Sequence, residues 1–518
     1  MNLLDRWIHV RRRSGNEKII APWQIAVGDD PAVAILTPRA DFTGALYQLL
    51  IGMVQTLFAP EDHTEWKALW NHPPAPEILK SAFEKRRDAF EIDSDGPAFM
   101  QDYDLPDGES KEEEIAALLI DAQGTGTHFF KEGTVRRVTP GWAALALFTL
   151  QINAPTGGRG HRVSLRGGGP LTTLILPPAG ERNTLWHQIW LNILTQEQIE
   201  SLADGPLSDD PAIIFPWLAP TRTSDNKGLE THPRDGHPCQ MYWSMPRRIR
   251  LLFNSDQPGR CDLSGEQCDH LVARYRTRHS GINYAGGWRH PLTPYSVDPK
   301  KGALPIKAQP GGIGYRHWLG LIVADEKNQK QPAKVIQVYQ NDNRRRVIGG
   351  DVQPGVWAFG YDMDNMKARC WYEATLPLFD IPKAQRAEIQ RTTVLMVDAA
   401  AEVVKSLRNA VKQAWFSRPK DAKGDFAFLD SAFWGATESD FYRLLGESMN
   451  TLVQEQEPNL APSLQKWRNS LREHGLTLFD YYALLDGNED GDMRRVIKAR
   501  SQLEKWLHIG KAIKRLAA

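Results

Sequence analysis

After Pro382 the apolar residues fall into step. Ile389, Val397, Ala400, Val404, Leu407, Val411 and Trp415 recur at spacings of three, four or eight residues, which places them on one face of a long helix. Such a face must be covered, and further helical runs at residues 433–453, 464–485 and 493–516 supply the cover. The breaks between them, at residues 417–425, 457–462 and 487–492, hold the Gly, Pro, Asn and Asp that end helices. Residues 385–518 are therefore expected to form an antiparallel four-helix bundle.

Residues 1–384 have another texture, with short apolar runs separated by Pro140, Pro155 and the glycine runs at 157–160, 167–169 and 311–314. That punctuation belongs to a mixed α+β domain with many loops. Helices are expected at 42–58 and at 142–152, the second entered through Thr139-Pro140, an N-cap followed by proline at the first helical position. Strands are expected at 171–176, 333–339, 355–361 and 369–378, where β-branched and aromatic residues cluster. The chain thus reads as α+β overall, with a large N-terminal domain (1–384) and a helical C-terminal one (385–518).

Of the 518 residues 41% are hydrophobic and 24% charged, close to the globular average. The most apolar stretch, residues 46–58, carries Gln48, Gln55 and Thr56 and is short of the roughly 20 apolar residues of a membrane span. It reads as a buried helix, and no membrane association is expected. Four cysteines, Cys239, Cys261, Cys268 and Cys370, are too few for a disulfide framework, and the first residues hold no apolar signal segment, so a cytoplasmic location is expected. Seventeen tryptophans are the one oddity of composition, best explained as anchors of a large core.

Lys plus Arg number 63, as do Asp plus Glu. Zero net charge argues against a nucleic-acid binder when read as a total. Its distribution is uneven: eight basic residues stand against one acid from Met493 to the end, and arginines cluster at 11–13, 136–137, 159–166, 247–250, 274–278 and 344–346. The compensating acids are elsewhere, as at Glu112-Glu113-Glu114. A basic helix is more often a solvated face than a phosphate track, but six arginine-rich stretches shift that balance, because guanidinium offers planar bidentate donors.

The most unusual stretch is NAPTGGRGHRVSLRGGGP, residues 153–170. Glycines let backbone approach a ligand closely, and Arg159, Arg162 and Arg166 beside them suit an anion. A surface loop is the plain alternative. It is no nucleotide P-loop, since no Gly-Lys-Ser/Thr follows. YDMDNMKAR at 361–369 has turn chemistry in Asp364-Asn365 and reads as a hairpin with Asn365, Met366 and Lys367 at its tip. Phe129-Phe130 lie in a glycine-flanked loop, suited to the core or to a partner. A zinc site from Cys239, Cys261, Cys268 and His270 lacks the usual ligand spacing, and no catalytic motif stands out. No metal, cofactor or active site is expected.

MNLLDRWIHVR at the start, WAALALF followed by NAPTGGRGHRVSLRGGGPLTT, GGWRHPLTPY at 286–295 and FWGATESDFYRLL at 433–445 together resemble CasA, the large-subunit family of the type I-E CRISPR Cascade surveillance complex. The resemblance covers nearly the whole chain. It implies a non-enzymatic subunit that recognises the protospacer-adjacent motif (PAM) in duplex DNA, begins strand opening and docks the helicase-nuclease, with other Cascade subunits and the guide RNA as partners. The family's glycine loop falls on Gly157, Gly158, Arg159 and Gly160, with Arg159 interrupting it. Its hairpin falls on Asp364, Asn365, Met366, Lys367 and Ala368, about one residue longer than usual, with the wedge at Asn365 or Met366. Its basic residue falls on Arg278 or His279, where the family has Lys, and its guide-RNA loop on Phe129-Phe130. Arg494, Arg495 and Lys498 on the last helix are expected to meet the DNA backbone. A metal-dependent nuclease and a scaffold without sequence readout are the other classes considered.

Overall fold

A computed structural model divides the chain into two compact units, one of Met1–Ala308 with Ala333–Glu373 and one of Gln309–Pro332 with Ala374–Ala518. It describes all residues except 107, 123–132, 159, 209, 226–228, 254–257, 299, 301, 343, 350–352, 365–366, 422–425, 484–491 and 518. The sequence division at 384/385 falls just inside the second unit. That unit also takes in Gln309–Pro332, for an aromatic reason: the Tyr315 ring stacks on Phe441 with centroids 4.3 Å apart, and its hydroxyl shares a 2.8 Å hydrogen bond with Thr437.

The first unit is mixed. Strands β1 (Ile8–Arg12), β2 (Glu17–Ile20) and β3 (Ala32–Ile35) form an antiparallel sheet ordered β2-β1-β3. Helix α1 (Ala40–Leu57) is buried on nearly every side. Its two buried amides are matched to the core: Gln55 exchanges hydrogen bonds with the Leu194 backbone at 3.0 and 2.7 Å, and Gln48 accepts from Arg166 at 2.8 Å. Paired this way, buried amides cost little. Helix α2 (His63–Asn71) and strand β4 (Lys111–Glu114) follow. Helix α3 (Pro140–Asn153) is entered through Thr139 in extended conformation and Pro140, and is buried from Gly141 to Asn153.

Strand β5 (Thr172–Leu176) and helix α4 (Leu185–Trp190) come next, then β6 (Arg248–Leu252), β7 (Arg274–Arg278), and a hairpin of β8 (Tyr295–Asp298) and β9 (Gly302–Pro305). Residues 333–339, expected as a strand, are instead helix α5 (Lys334–Asn341). Val335, Ile336, Val338 and Tyr339 are its buried residues, at offsets zero, one, three and four, which is one helical face. The local β-propensity of Val and Ile favours a strand, and burial of that face overrides it. Strands β10 (Gly355–Asp364) and β11 (Lys367–Pro377) complete a sheet ordered β11-β10-β5.

Tryptophans anchor this core as expected. Trp66, Trp70, Trp186 and Trp190 are fully buried beside one another, with Trp186 and Trp190 stacked at 4.8 Å. The Arg344 guanidinium lies 4.2 Å over Trp66 and donates to the Ile193 carbonyl at 2.9 Å. A second cluster joins Phe90, Phe99, Phe148, Phe215, Trp217 and Trp243.

In the second unit four long helices, α6 (Arg386–Trp415), α7 (Ala427–Gln454), α8 (Ala461–Tyr481) and α9 (Met493–Ile509), pack as a bundle, with α6 against each of the other three. The buried stripe of α6 includes Ile389, Ala400, Val404, Leu407 and Val411, whereas Val397 and Trp415 are half-buried. The last expected helix is broken at Gly510: the Glu402 carboxylate accepts from the backbone amides of Lys511, Ala512 and Ile513 and so caps a short α10 (Lys511–Arg515). Among the described residues no helix is long and apolar enough to cross a membrane.

Candidate nucleic-acid interface

Two of the arginine clusters and the acidic run meet in one antiparallel sheet, ordered β4-β7-β6. Strand alternation then sorts their side chains. Glu112, Arg276 and Arg250 lie in register, as do Glu114, Arg274 and Leu252. On this side Arg274 bonds Glu112 at 2.6 Å, Arg250 donates to the Ser94 and Gly96 carbonyls, and Arg248 pairs with fully buried Asp102. The acids expected to lie elsewhere are thus the direct neighbours of the arginines, and much of this positive charge is consumed inside the fold.

The residues offset by one, Lys111, Glu113, Tyr275, Thr277 and Ile249, line a cavity of about 480 Å³. Glu109, Gly157, His161, Arg247, Arg278 and His279 also line it. Gly160 has φ +82°, and a Cβ there would lie 2.9 Å from the Cβ of His279, so only glycine brings the loop this close. The Ser280 amide donates to the Gly160 carbonyl at 2.7 Å and locks the two segments together. Gly158, also at φ +82°, faces open space. His279 is exposed, while Arg278 is half-buried and bonds Glu109 at 2.7 Å. Of the two candidates for the basic position, His279 is therefore the one set against the glycine loop, and Arg278 is the one engaged by an acid. Burial, with the charges of Arg247 and His279, holds the His161 pKa below its ordinary value.

The other glycines in the stretch serve packing. A Cβ on Gly169 would lie 2.5 Å from Met363, and one on Gly168 would lie 2.9 Å from Pro155. Arg166 is no anion ligand: it is buried and donates to Gln48, Thr172 and Thr293 at 2.8–3.1 Å. Arg162 is likewise engaged, with the Ser224 hydroxyl and carbonyl. Gly169 instead seats the hairpin: β10 ends at Asp364 and β11 begins at Lys367, with Arg369 clasping Asp362 through two bonds of 2.8 and 3.1 Å. Asp364 and Lys367 are exposed and Ala368 half-buried. Asn365 and Met366 lie outside the described residues, as do Arg159, Phe129 and Phe130.

On α9 the three expected phosphate contacts separate. Arg494 and Lys498 are exposed, but Arg495 turns back to donate to the Ala414 and Trp415 carbonyls at 2.9 and 3.3 Å, capping the C-terminus of α6. Two of the three thus remain available to a phosphate. Reversing Arg494 and Lys498 together is expected to lower the salt slope of duplex binding by about 2. Arg495→Glu is expected instead to destabilise the bundle by about 1–2 kcal/mol through the lost cap. Salt-dependent binding isotherms and urea unfolding read the two effects separately.

A family model described as CRISPR-associated protein Cse1 matches residues 2–478. The chain belongs to the Cse1 family. Solved structures carry the same fold. CasA of Thermus thermophilus is 19% identical, with a TM-score of 0.69 over 100% of this chain and 99% of that one. Cse1 of Thermobifida fusca is 16% identical, with a TM-score of 0.71 over the same shares. A chain of a CRISPR RNA-guided surveillance complex is 16% identical, with a TM-score of 0.68 over 98% of this chain and 99% of that one.

In this Cse1-family chain, Arg247 is the residue that sequence reasoning did not single out. It sat in the run 247–250, and the signal that separates it from Arg248 and Arg250 is the alternation leading into β6, invisible until β6 is paired with β7. Among the described residues no group of three or more His, Cys, Asp or Glu side chains is placed to hold a metal ion. The four cysteines are free, Cys239 is buried with its thiol pushed up to about 12 by burial, and His290 is buried with its Nδ1 accepting from the Leu292 amide.

Proposed function

We propose that this chain is the non-catalytic large subunit of a type I-E Cascade complex, in which it recognises the PAM in duplex DNA from the minor groove and begins strand opening. The observation that carries the reading is the union of Gly160 with His279: a backbone without a side chain and an imidazole held side by side through the Ser280 amide. The minor groove is narrow and its edge pattern degenerate, so bare backbone fits and A·T is told from G·C with little finer detail. Several PAM sequences are therefore tolerated. The hairpin of β10 and β11 supplies the wedge, at Asn365 or Met366, and Phe129-Phe130 engage the guide RNA. Unstacking costs a few kcal/mol, offset as the guide pairs with its target strand. Other Cascade subunits, guide RNA, target duplex and the helicase-nuclease are the partners.

The test is a gel shift of duplexes that differ only in the PAM, with and without this subunit added to a guide-loaded complex. PAM discrimination that appears only with the subunit supports the reading. Binding without PAM dependence in the complete complex favours a scaffold instead.

A further inference from the structure

The cavity below the glycine loop contains an uncompensated charge. Arg247 is 7% exposed; its guanidinium donates to the Pro155 carbonyl, while its Nε has no partner. Among the described residues no carboxylate pairs with it. The two acids that line the same cavity are already matched, Glu113 with Lys111 at 2.5 Å and Glu109 with Arg278 at 2.7 Å. Burial pushes the Arg247 pKa down to about 10. Buried charges are ordinarily paired, because removing an ion from water costs several kcal/mol that only a counter-ion or hydrogen bonds repay.

Glycine keeps this charge reachable. A Cβ on Gly157 would lie 2.4 Å from Nη1 of Arg247, so any other residue there would displace the guanidinium or cover it. His161, His279 and Tyr275 line the same cavity. A cavity of about 480 Å³ has room for a phosphate together with an attached sugar.

We propose that this cavity is an oxyanion site in which Arg247 binds a phosphate group admitted past Gly157, with His161 and His279 also lining it. The phosphate belongs either to the backbone of the target duplex, an assignment that rests on the proposed function, or to a free phosphate or mononucleotide. Bidentate guanidinium–phosphate geometry explains why Arg stands here, since Lys offers a point charge in place of a fork.

The full-length chain alone is titrated with inorganic phosphate and with a nucleoside monophosphate by calorimetry, and the guide-loaded complex with target duplex across a salt series. The variants are Arg247→Met, Arg247→Lys and Gly157→Ala. The expected result is phosphate or nucleotide binding by the parent, weakened at least about tenfold in Arg247→Met and Gly157→Ala and less in Arg247→Lys. If the duplex is the source, Arg247→Met also lowers the salt slope by about 1; an unchanged slope with lost nucleotide binding assigns the site to a free ligand. Arg247→Met is further expected to raise the urea midpoint, whereas a structural arginine would lower it. No binding of either probe by the parent, together with an unchanged duplex salt slope in Arg247→Met, overturns the proposal. The probe titrations need no PAM, so loss of PAM dependence in the parent complex sinks the proposed function without touching this site.

Discussion

Gly160→Asp is expected to abolish PAM-dependent duplex binding, a loss of at least about 100-fold or about 3 kcal/mol. Three costs add at this position. Its φ of +82° lies where a Cβ is strained. The new Cβ would meet the Cβ of His279 at 2.9 Å, so the loop and the imidazole must part. A carboxylate is then placed where the proposal brings phosphates, and like charge repels. Gly158→Asp is the comparison, since its φ is the same but nothing lies within 4 Å of the added atom. It should lose less, because His279 stays in place. Gel shifts of matched and mismatched PAM duplexes with the assembled complex read both variants. Unchanged affinity in Gly160→Asp would sink the assignment of the loop.

The largest expected effect on stability is that of Asp102→Ala, a loss of about 3–5 kcal/mol in urea unfolding. The Asp102 side chain is 0% exposed and that of its partner Arg248 5%, so deleting the acid leaves a guanidinium stranded in the core. Burial and a side-chain hydrogen bond shared with Asp104 hold the Asp102 pKa above the ordinary carboxylate range, opposed by Arg248, so the charged form depends on its partner. Asp102→Leu combined with Arg248→Met removes both charges and should recover most of the loss, because apolar side chains of similar volume avoid the desolvation cost. A loss below about 1 kcal/mol for the single variant would mean that Arg248 finds another partner or water.

Periodicity makes the helical part legible: the stripe from Ile389 to Val411 is continuous over about six turns, and the other three helices cover it. The hairpin is equally legible, because Asp364-Asn365 stands between two β-rich runs. The segment at 333–339 is not, since Val and Ile favour strands locally while the buried face of Val335, Ile336, Val338 and Tyr339 requires a helix. Charge is legible along the chain and incompletely so in space. Arg166, Arg344 and Arg495 each look like phosphate ligands in one dimension, yet each is spent on carbonyls, amides or hydroxyls of its own fold.

The sequence by itself determined the family, the bundle, the hairpin and the glycine loop, because each depends on residues close together in the chain. Only the tertiary structure decided which positive charges are left over. Neutralisation depends on which strands are neighbours, and placing β7 between β4 and β6 pairs Glu112 with Arg274 while leaving Arg247 on the opposite, cavity-lining side. Strand alternation converts a single step along the chain, from Arg247 to Arg248, into the difference between a cavity-lining guanidinium and a buried ion pair.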